Sequence, residues 1–153
     1  MRIRRARLDD ALRIRNLHVR SIRVLCALDY TRRQIAAWAG GRRAAHYRRV
    51  MGAGGEEMFV AVANERVVGF SSARRGEIVA VYVDPKHVRL GAGHRLLARA
   101  ERAANAKRLW LDATLTAVPF YLAHGYRRRR RHSVMRQGVP IPCVRMTKAL
   151  LPR

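Results

Sequence analysis

The chain has 153 residues, of which 33 are Lys or Arg and 10 are Asp or Glu, giving a formal net charge of +23; 49% of the residues are hydrophobic. That is enough apolar material for one domain, expected over residues 1–153, and no apolar run approaches the ~18 residues that cross a bilayer. The charge excludes indifference to anions, which it attracts over long range and in a salt-dependent way, but it does not choose among them.

Thirty of the basic residues are arginine and three are lysine, spread along the chain except for the run Arg127–Arg131. Such a bias beside so many alanines is as readily an effect of coding composition as of function. The opening "MRIRRARLDD" has cations but no apolar segment behind them, so no secretory signal is expected. Cys26 and Cys143 have no metal-ligand spacing, and neither do the six histidines. The expectation is a cytoplasmic protein with two reduced thiols, no metal and no membrane segment.

In chain order, "RIRRAR" reads as a short strand. Asp9 or Asp10 can cap a helix running to about Leu25, with Ala11, Ile14, Leu17, Val19, Ile22 and Leu25 as its apolar stripe. "TRRQIAAWAG" starts with Thr31 three residues before Gln34, a capping box, and stops at Gly40-Gly41. A further helix is expected from Arg42 to about Met51. The period then changes. "EMFVAVA" and "RVVGFSSA" form a hairpin turning at Asn64-Glu65, and "EIVAVYVD" is a third strand, apolar enough to be covered on both faces. A helix with Leu96, Leu97, Ala100 and Ala104 on one side follows. After it come the strand "RLWLDA", a short helix "TAVPFYLAHG" with Pro119 near its first turn, and two closing strands, "YRRRRRHSV" and "IPCVRMTKAL". This order predicts a mixed α/β domain around a sheet, with a right-handed β–α–β crossover at its centre.

The link "VYVDPKHVRLGAGHRLLARAE" is unusual because the helix it enters has no acid in its first turn. Helix starts favour acidic side chains. A start offering Gly91, Gly93 and nearby cations is suited to an external anion, because glycines let backbone N–H groups approach a phosphate. No Gly-Lys-Ser/Thr follows, so it is not a Walker loop, and the third glycine of a dinucleotide fingerprint is missing.

Together, "VYVDPKHVRLGAGHRLLARAE", "RLWLDATLTAVPFYLAHGY" and a last strand ending "VRMTKAL" resemble the GNAT superfamily of N-acetyltransferases, across essentially the whole chain and most strongly over residues 77–126. The resemblance implies the GNAT fold, a central and mostly antiparallel sheet flanked by helices, and acetyl transfer from acetyl-CoA to a primary amine in a ternary complex. The family's loop, Arg/Gln-x-x-Gly-x-Gly/Ala, holds the coenzyme A pyrophosphate on backbone amides. Here it maps to Val88, Arg89, Leu90, Gly91, Ala92 and Gly93, continuing into His94 and Arg95. Val88 departs from the pattern and removes one side-chain contact, for which Arg89 or Arg95 can compensate. The strand ahead, Val81, Tyr82 and Val83, would pair with the pantetheine arm. The Val81 N–H would face the thioester oxygen and stabilise its developing charge.

"PFYLAHGY" is similar to the family segment Phe/Leu-Tyr-x-x-x-Gly-Phe. Tyr121 then takes the place of the tyrosine that donates to the sulfur of coenzyme A, with Pro119 and Phe120 beside it. A thiol of pKa ~8.5 is a fair leaving group, and a tyrosine near ~10 suits hydrogen bonding to it. Among the carboxylates, Glu77 at the start of the central strand is the first choice for a base acting through water, as a glutamate on this strand does in several family members. Asp84 reads as the strand's end. Thr114 stands where many members carry a cofactor-binding asparagine, and its hydroxyl can equally cap the next helix.

The resemblance assigns the acceptor pocket to the first helices, hence to His18, Ser21, Ile22, Cys26, Tyr30 and Trp38, each with a core-packing role as its alternative. The partner is then a small-molecule or peptide amine, an anionic amine fitting the charge better than a polyamine, and a homodimer is open. Two other readings stay open: a nucleic-acid-binding protein built on Arg127–Arg131, tRNA-directed or not, and a family member that binds acyl-CoA without catalysis.

Overall fold

The computed structural model describes residues 1–150. The described residues form one seven-stranded sheet in the order β1-β2-β3-β4-β5-β7-β6. The strands are β1 (Arg2–Arg5), β2 (Glu57–Ala63), β3 (Arg66–Arg74), β4 (Glu77–Val83), β5 (Arg108–Thr114), β6 (Arg127–Arg136) and β7 (Val139–Ala149), and the helices are α1 (Ala11–Leu25), α2 (Arg32–Ala39), α3 (Ala44–Ala53), α4 (Ala92–Ala104) and α5 (Val118–Ala123). Every neighbouring pair is antiparallel except β4 and β5. This is the mixed α/β sheet expected from the sequence, with β4–α4–β5 as its crossover. No helix among the described residues is long and apolar enough to cross a membrane.

Alternation along the strands explains the layers. In β2, Phe59 and Ala61 pack with Ala92 and Leu96 of α4, while Met58, Val60 and Val62 pack with Ile14 and Leu17 of α1 and with Tyr47 of α3. In β5, Leu109, Leu111 and Ala113 turn to the α4–α5 side with Leu97 and Tyr121. The apolar stripe read for α4 is its buried face: Leu96, Leu97, Ala100 and Ala104 are all shielded from solvent. Each such leucine contributes roughly 1.5–3 kcal/mol of burial. Helices therefore cover both faces of the sheet.

Local signals act as written in the sequence. Thr31 Oγ1 accepts from the Gln34 N–H and the Gln34 side chain accepts from the Thr31 N–H, closing the capping box at the start of α2. Asn64 and Glu65 both have positive φ, at 49° and 62°, as a tight hairpin turn demands. Asp10 caps backwards: it accepts from the Arg7 N–H at 2.7 Å and from two Arg4 nitrogens at 2.8 and 3.1 Å. Burial disfavours its ionised form, but Arg4 and the Arg7 N–H outweigh that and hold its pKa below the usual range.

Two irregularities open the centre of the sheet. β4 and β5 share a single register pair, Glu77 with Trp110. Beyond it the strands diverge. In addition, Ser72 pairs with Ala80 but Ala73 with Ile78, so Val79 is an extra residue and β4 bulges there.

Candidate active site

The wedge between β4 and β5 holds two cavities that meet at their shared walls. The first, of about 470 Å³, is lined by Val79–Val83, by Val88, Gly91, Gly93 and His94 of the link, by Thr116, Ala117, Phe120 and Tyr121, and by Ser21 of α1 and Cys26 just after it. The second, of about 380 Å³, is lined by Tyr30, Trp38, His46, Glu56, Arg74, Glu77, Arg136 and Cys143 among others. Ile78, Val79, Tyr82, Asp112 and Thr114 belong to both.

The free edge of β4 follows from its pairing. The Asp84 N–H donates to the Val68 carbonyl at 2.8 Å, and Tyr82 lies opposite Phe70 two residues back. Backbone groups alternate in direction along a strand. The N–H groups of Val81 and Val83 therefore turn away from β3, into the wedge that β5 has vacated. Ser21 Oγ donates to the Val83 carbonyl at 3.2 Å on this same edge.

At one mouth of the first cavity α4 begins without a cap. Gly91, its N-cap, is left-handed at φ 76°, no side chain caps it, and its first turn has no acid. The first helical hydrogen bond there is from the Arg95 N–H to the Gly91 carbonyl, so the preceding amides are free for an external acceptor. A Cβ on Gly91 would meet open space, whereas one on Gly93 would lie 3.4 Å from the Phe120 ring. Gly91 thus serves the turn and Gly93 the close packing of α5 against α4. A phosphate-bearing ligand fits this start. Asp84 holds the approach: it accepts from the Lys86 N–H at 3.1 Å and from Arg20 at 2.6 Å.

Tyr121 is 5% exposed and lines the first cavity. Burial alone pushes its pKa up, and among the described residues its hydroxyl has no hydrogen-bond partner. Its neighbour Tyr126 donates to Glu101 Oε2 at 2.7 Å, an atom that also accepts from Lys148 at 2.9 Å. Thr114 Oγ1 caps the turn before α5 by accepting from the Ala117 N–H at 3.1 Å, and Pro119 sits in the first turn of α5. His94 and His124 contact each other at 3.0 Å on the exposed rim.

Glu77 lines only the second cavity. Burial raises its pKa against the pull of Arg74, with Glu56 and Asp112 adding to the rise and Arg145 opposing it. Arg74 bonds Glu56 at 2.9 Å and stands 3.7 Å from Glu77. Asp112 is held by Arg145 at 2.6 and 3.2 Å and by His132 Nε2 at 2.8 Å. Cys143 Sγ is 3.4 Å from the same His132 nitrogen, and burial pushes its thiol up to about 11.

The other residues singled out in the sequence fall in distinct places. Tyr30 and Trp38 line the second cavity, and Tyr30 donates to the Pro142 carbonyl at 2.6 Å while accepting from the Leu115 N–H. Ser21 and Cys26 line the first cavity instead. His18 and Ile22 line neither: Ile22 is core, and His18 is buried against Tyr47, 2.8 Å away, and the Tyr82 ring. Ala92 is core, Arg95 donates to the Met1 carbonyl, and Arg89, Leu90 and Pro119 are outside both walls. Sequence reading missed Asp112, His132 and Arg145, which adjacent strands bring together beside Cys143, and the wall residues Glu56, Arg74 and Arg136. Only strand parity could have paired them. The arginine run is divided by its register: Arg128 and Arg131 sit opposite Met146 and Val144 on the α5 side, Arg130 opposite Arg145 on the other, with Arg129 bulged between.

A bare helix start beside a splayed parallel pair, opening onto a strand edge with inward-facing amides, is a cleft suited to a phosphate-bearing ligand with an extended arm. The chain belongs to the GNAT family of N-acetyltransferases: residues 26–150 match the acetyltransferase (GNAT) domain. A GCN5-related N-acetyltransferase from Rhodopseudomonas palustris is 30% identical and superposes with a TM-score of 0.88 over 97% of this chain and 95% of its own. An uncharacterised N-acetyltransferase of Escherichia coli (strain K12), YafP, is 25% identical over 90% of this chain and 89% of its own. The PaiA N-acetyltransferase from Thermoplasma acidophilum, solved in complex with coenzyme A, shares the fold at 17% identity, with a TM-score of 0.74 over 97% of this chain and 98% of its own.

Proposed function

We propose that the protein is a single-domain enzyme that transfers an acetyl group from acetyl-CoA directly to a primary amine, with the first cavity as donor site and the second as acceptor site. The observation that carries this is their meeting at Ile78, Val79, Tyr82, Asp112 and Thr114, with Tyr121 on one side and Glu77 on the other. The uncapped amides at Gly91–His94 hold the pyrophosphate, with the positive end of α4 behind them. The edge amides of Val81 and Val83 run along the pantetheine arm. The Val81 N–H stabilises the charge that grows on the thioester oxygen.

Two proton movements complete the reaction. Glu77, whose pKa burial raises, takes the ammonium proton through water. The nitrogen loses its second proton as the tetrahedral intermediate collapses, and that proton ends on the departing sulfur, toward which Tyr121 donates a hydrogen bond. Its pKa, raised by burial, suits a donor that stays protonated. The coenzyme A carried by the PaiA relative supports the donor assignment.

The test is calorimetric titration with acetyl-CoA at about 0.15 M and about 0.5 M salt, with ATP and a short RNA as comparison polyanions. Retained 1:1 binding of acetyl-CoA at high salt, with RNA and ATP lost, is the expected result. Loss of all three would remove the donor site.

A further inference from the structure

The end strand of the sheet carries an arginine run that the two cavities leave unused. β6 pairs only with β7. Arg127–Arg131 are all exposed, and none of them lines either cavity. Among the described residues none of the five makes an ion pair, and their one side-chain hydrogen bond runs from Arg129 to Thr147 Oγ1 at 2.7 Å. The outer side of an end strand presents unpaired N–H and C=O groups, a template for another extended segment.

The register decides the chemistry of that segment. Arg127 and Arg130 lie opposite Thr147 and Arg145, toward one face of the sheet; Arg128 and Arg131 lie opposite Met146 and Val144, toward the other. A strand added in the plane of the sheet sends its side chains alternately to both faces, so acidic residues along it meet arginines on both. A nucleic-acid backbone lying on one face meets only half of them. Beside the run is a groove of about 440 Å³, lined by Arg128–Arg131 and by Leu115, Val118 and Val144. No aromatic side chain among the described residues lines it, so it has no platform on which bases stack, and its apolar wall suits an aliphatic side chain. A second copy of this chain is disfavoured, because pairing like edges sets arginine against arginine.

We propose that the β6 edge docks a short, extended acidic segment of another protein as an added strand, its carboxylates alternating between the two faces and an aliphatic side chain over Leu115, Val118 and Val144. The bulge at Arg129 interrupts the ladder, so the match is a short segment rather than a full-length strand. The site stands apart from the two cavities, and its test needs no turnover.

The experiment measures binding of fluorescently labelled acetyl-Thr-Glu-Glu-Val-Glu-Glu-Thr-amide by anisotropy at about 0.15 M salt. Two triple variants of equal net charge are compared with the parent. One replaces Arg128, Arg130 and Arg131 by Gln; the other replaces Arg13, Arg23 and Arg48, exposed on α1 and α3. The β6 triple should weaken binding about tenfold, as expected for three lost cross-strand charge pairs, and the control triple by no more than about twofold. Arg128→Gln and Arg131→Gln alone should each show part of the loss, which keeps the test available if the triple misfolds. The peptide with alternate backbone nitrogens methylated should bind at least about fivefold more weakly. An RNA of equal charge should lose affinity alike in both triples. Equal peptide loss in both triples would reduce the effect to net charge and overturn the proposal. So would absence of peptide binding, undiminished binding of the methylated peptide, RNA binding that is tighter and selectively lost in the β6 triple, or sedimentation showing a dimer that this triple dissociates.

Discussion

Two neighbouring tyrosines separate a catalytic role from a structural one. Tyr121 and Tyr126 are both buried and stand 5.6 Å apart between ring centroids. The Tyr126 hydroxyl donates to Glu101 at 2.7 Å, beside Lys148; the Tyr121 hydroxyl has no partner among the described residues. Tyr121→Phe therefore removes no intramolecular bond, and the melting temperature should move by no more than about 2 °C. If the hydroxyl supports the leaving sulfur, its loss removes a bond to a charged atom worth about 1.5–3 kcal/mol, and kcat should fall roughly 10- to 150-fold. Tyr126→Phe is the reverse case. It strips a charge-assisted bond from a half-buried carboxylate, costs about 1–3 kcal/mol, and should lower the melting temperature by roughly 2–12 °C. Its kcat should stay within about threefold of the parent, since Tyr126 lines neither cavity and the variant keeps the ring that packs on Tyr121. Thermal melts and a thiol-release assay on the two variants decide the matter. An unchanged kcat in Tyr121→Phe, or a melting temperature that drops as far as in Tyr126→Phe, would refute the reasoning.

Glu77→Gln should flatten the acidic limb of the pH–kcat/KM profile, which in the parent rises through the elevated Glu77 pKa. Its stability carries the same sign. A carboxyl whose folded pKa lies above its unfolded value of 4.5 favours the fold below that value, and the benefit is lost as pH rises through the folded pKa. Glu77→Gln should therefore melt higher than the parent at pH 7 and not at pH 4, by calorimetry. Gly91→Asp places a carboxylate among the free amides of α4 and should weaken acetyl-CoA binding at least about tenfold. Since an added Cβ there meets open space, the fold should lose only about 1–2 kcal/mol from the left-handed φ, as denaturant titration would show. Asp112→Asn leaves Arg145 without its carboxylate and should cost about 1–2 kcal/mol, measurable in the same way.

What the sequence carries locally and what it leaves to the tertiary fold divide along physical lines. Period and caps are local, so the Thr31–Gln34 box, the Asn64-Glu65 turn and the apolar stripe of α4 were each readable from a few adjacent residues. The glycine link was readable for the same reason: a helix start lacking acid, with glycines before it, is a property of one short segment. The donor cavity inherits that legibility, because β4, the link and α5 supply most of its wall within residues 78–121. The acceptor cavity has no such segment. Its wall draws on Trp38, His46, Glu56, Arg74, Asp112 and Arg136, which the strand order, the covering helices α2 and α3 and the divergence after the Glu77–Trp110 pair bring together. His18 shows why position on a helix is not enough. The period of α1 says that it is buried, but the element packed against it decides what buries it, and Tyr47 from α3 and Tyr82 from β4 close over it before any cavity is reached. A cavity built mostly from one contiguous segment depends on that segment, whereas a wall assembled from separate helices and strands can exchange one charged side chain, such as Arg136, without disturbing the strand ladder or the first cavity. Specificity for the amine should therefore track the strand-borne charges on β3, β5 and β6, and acetyl-CoA affinity should track the link and the β4 edge.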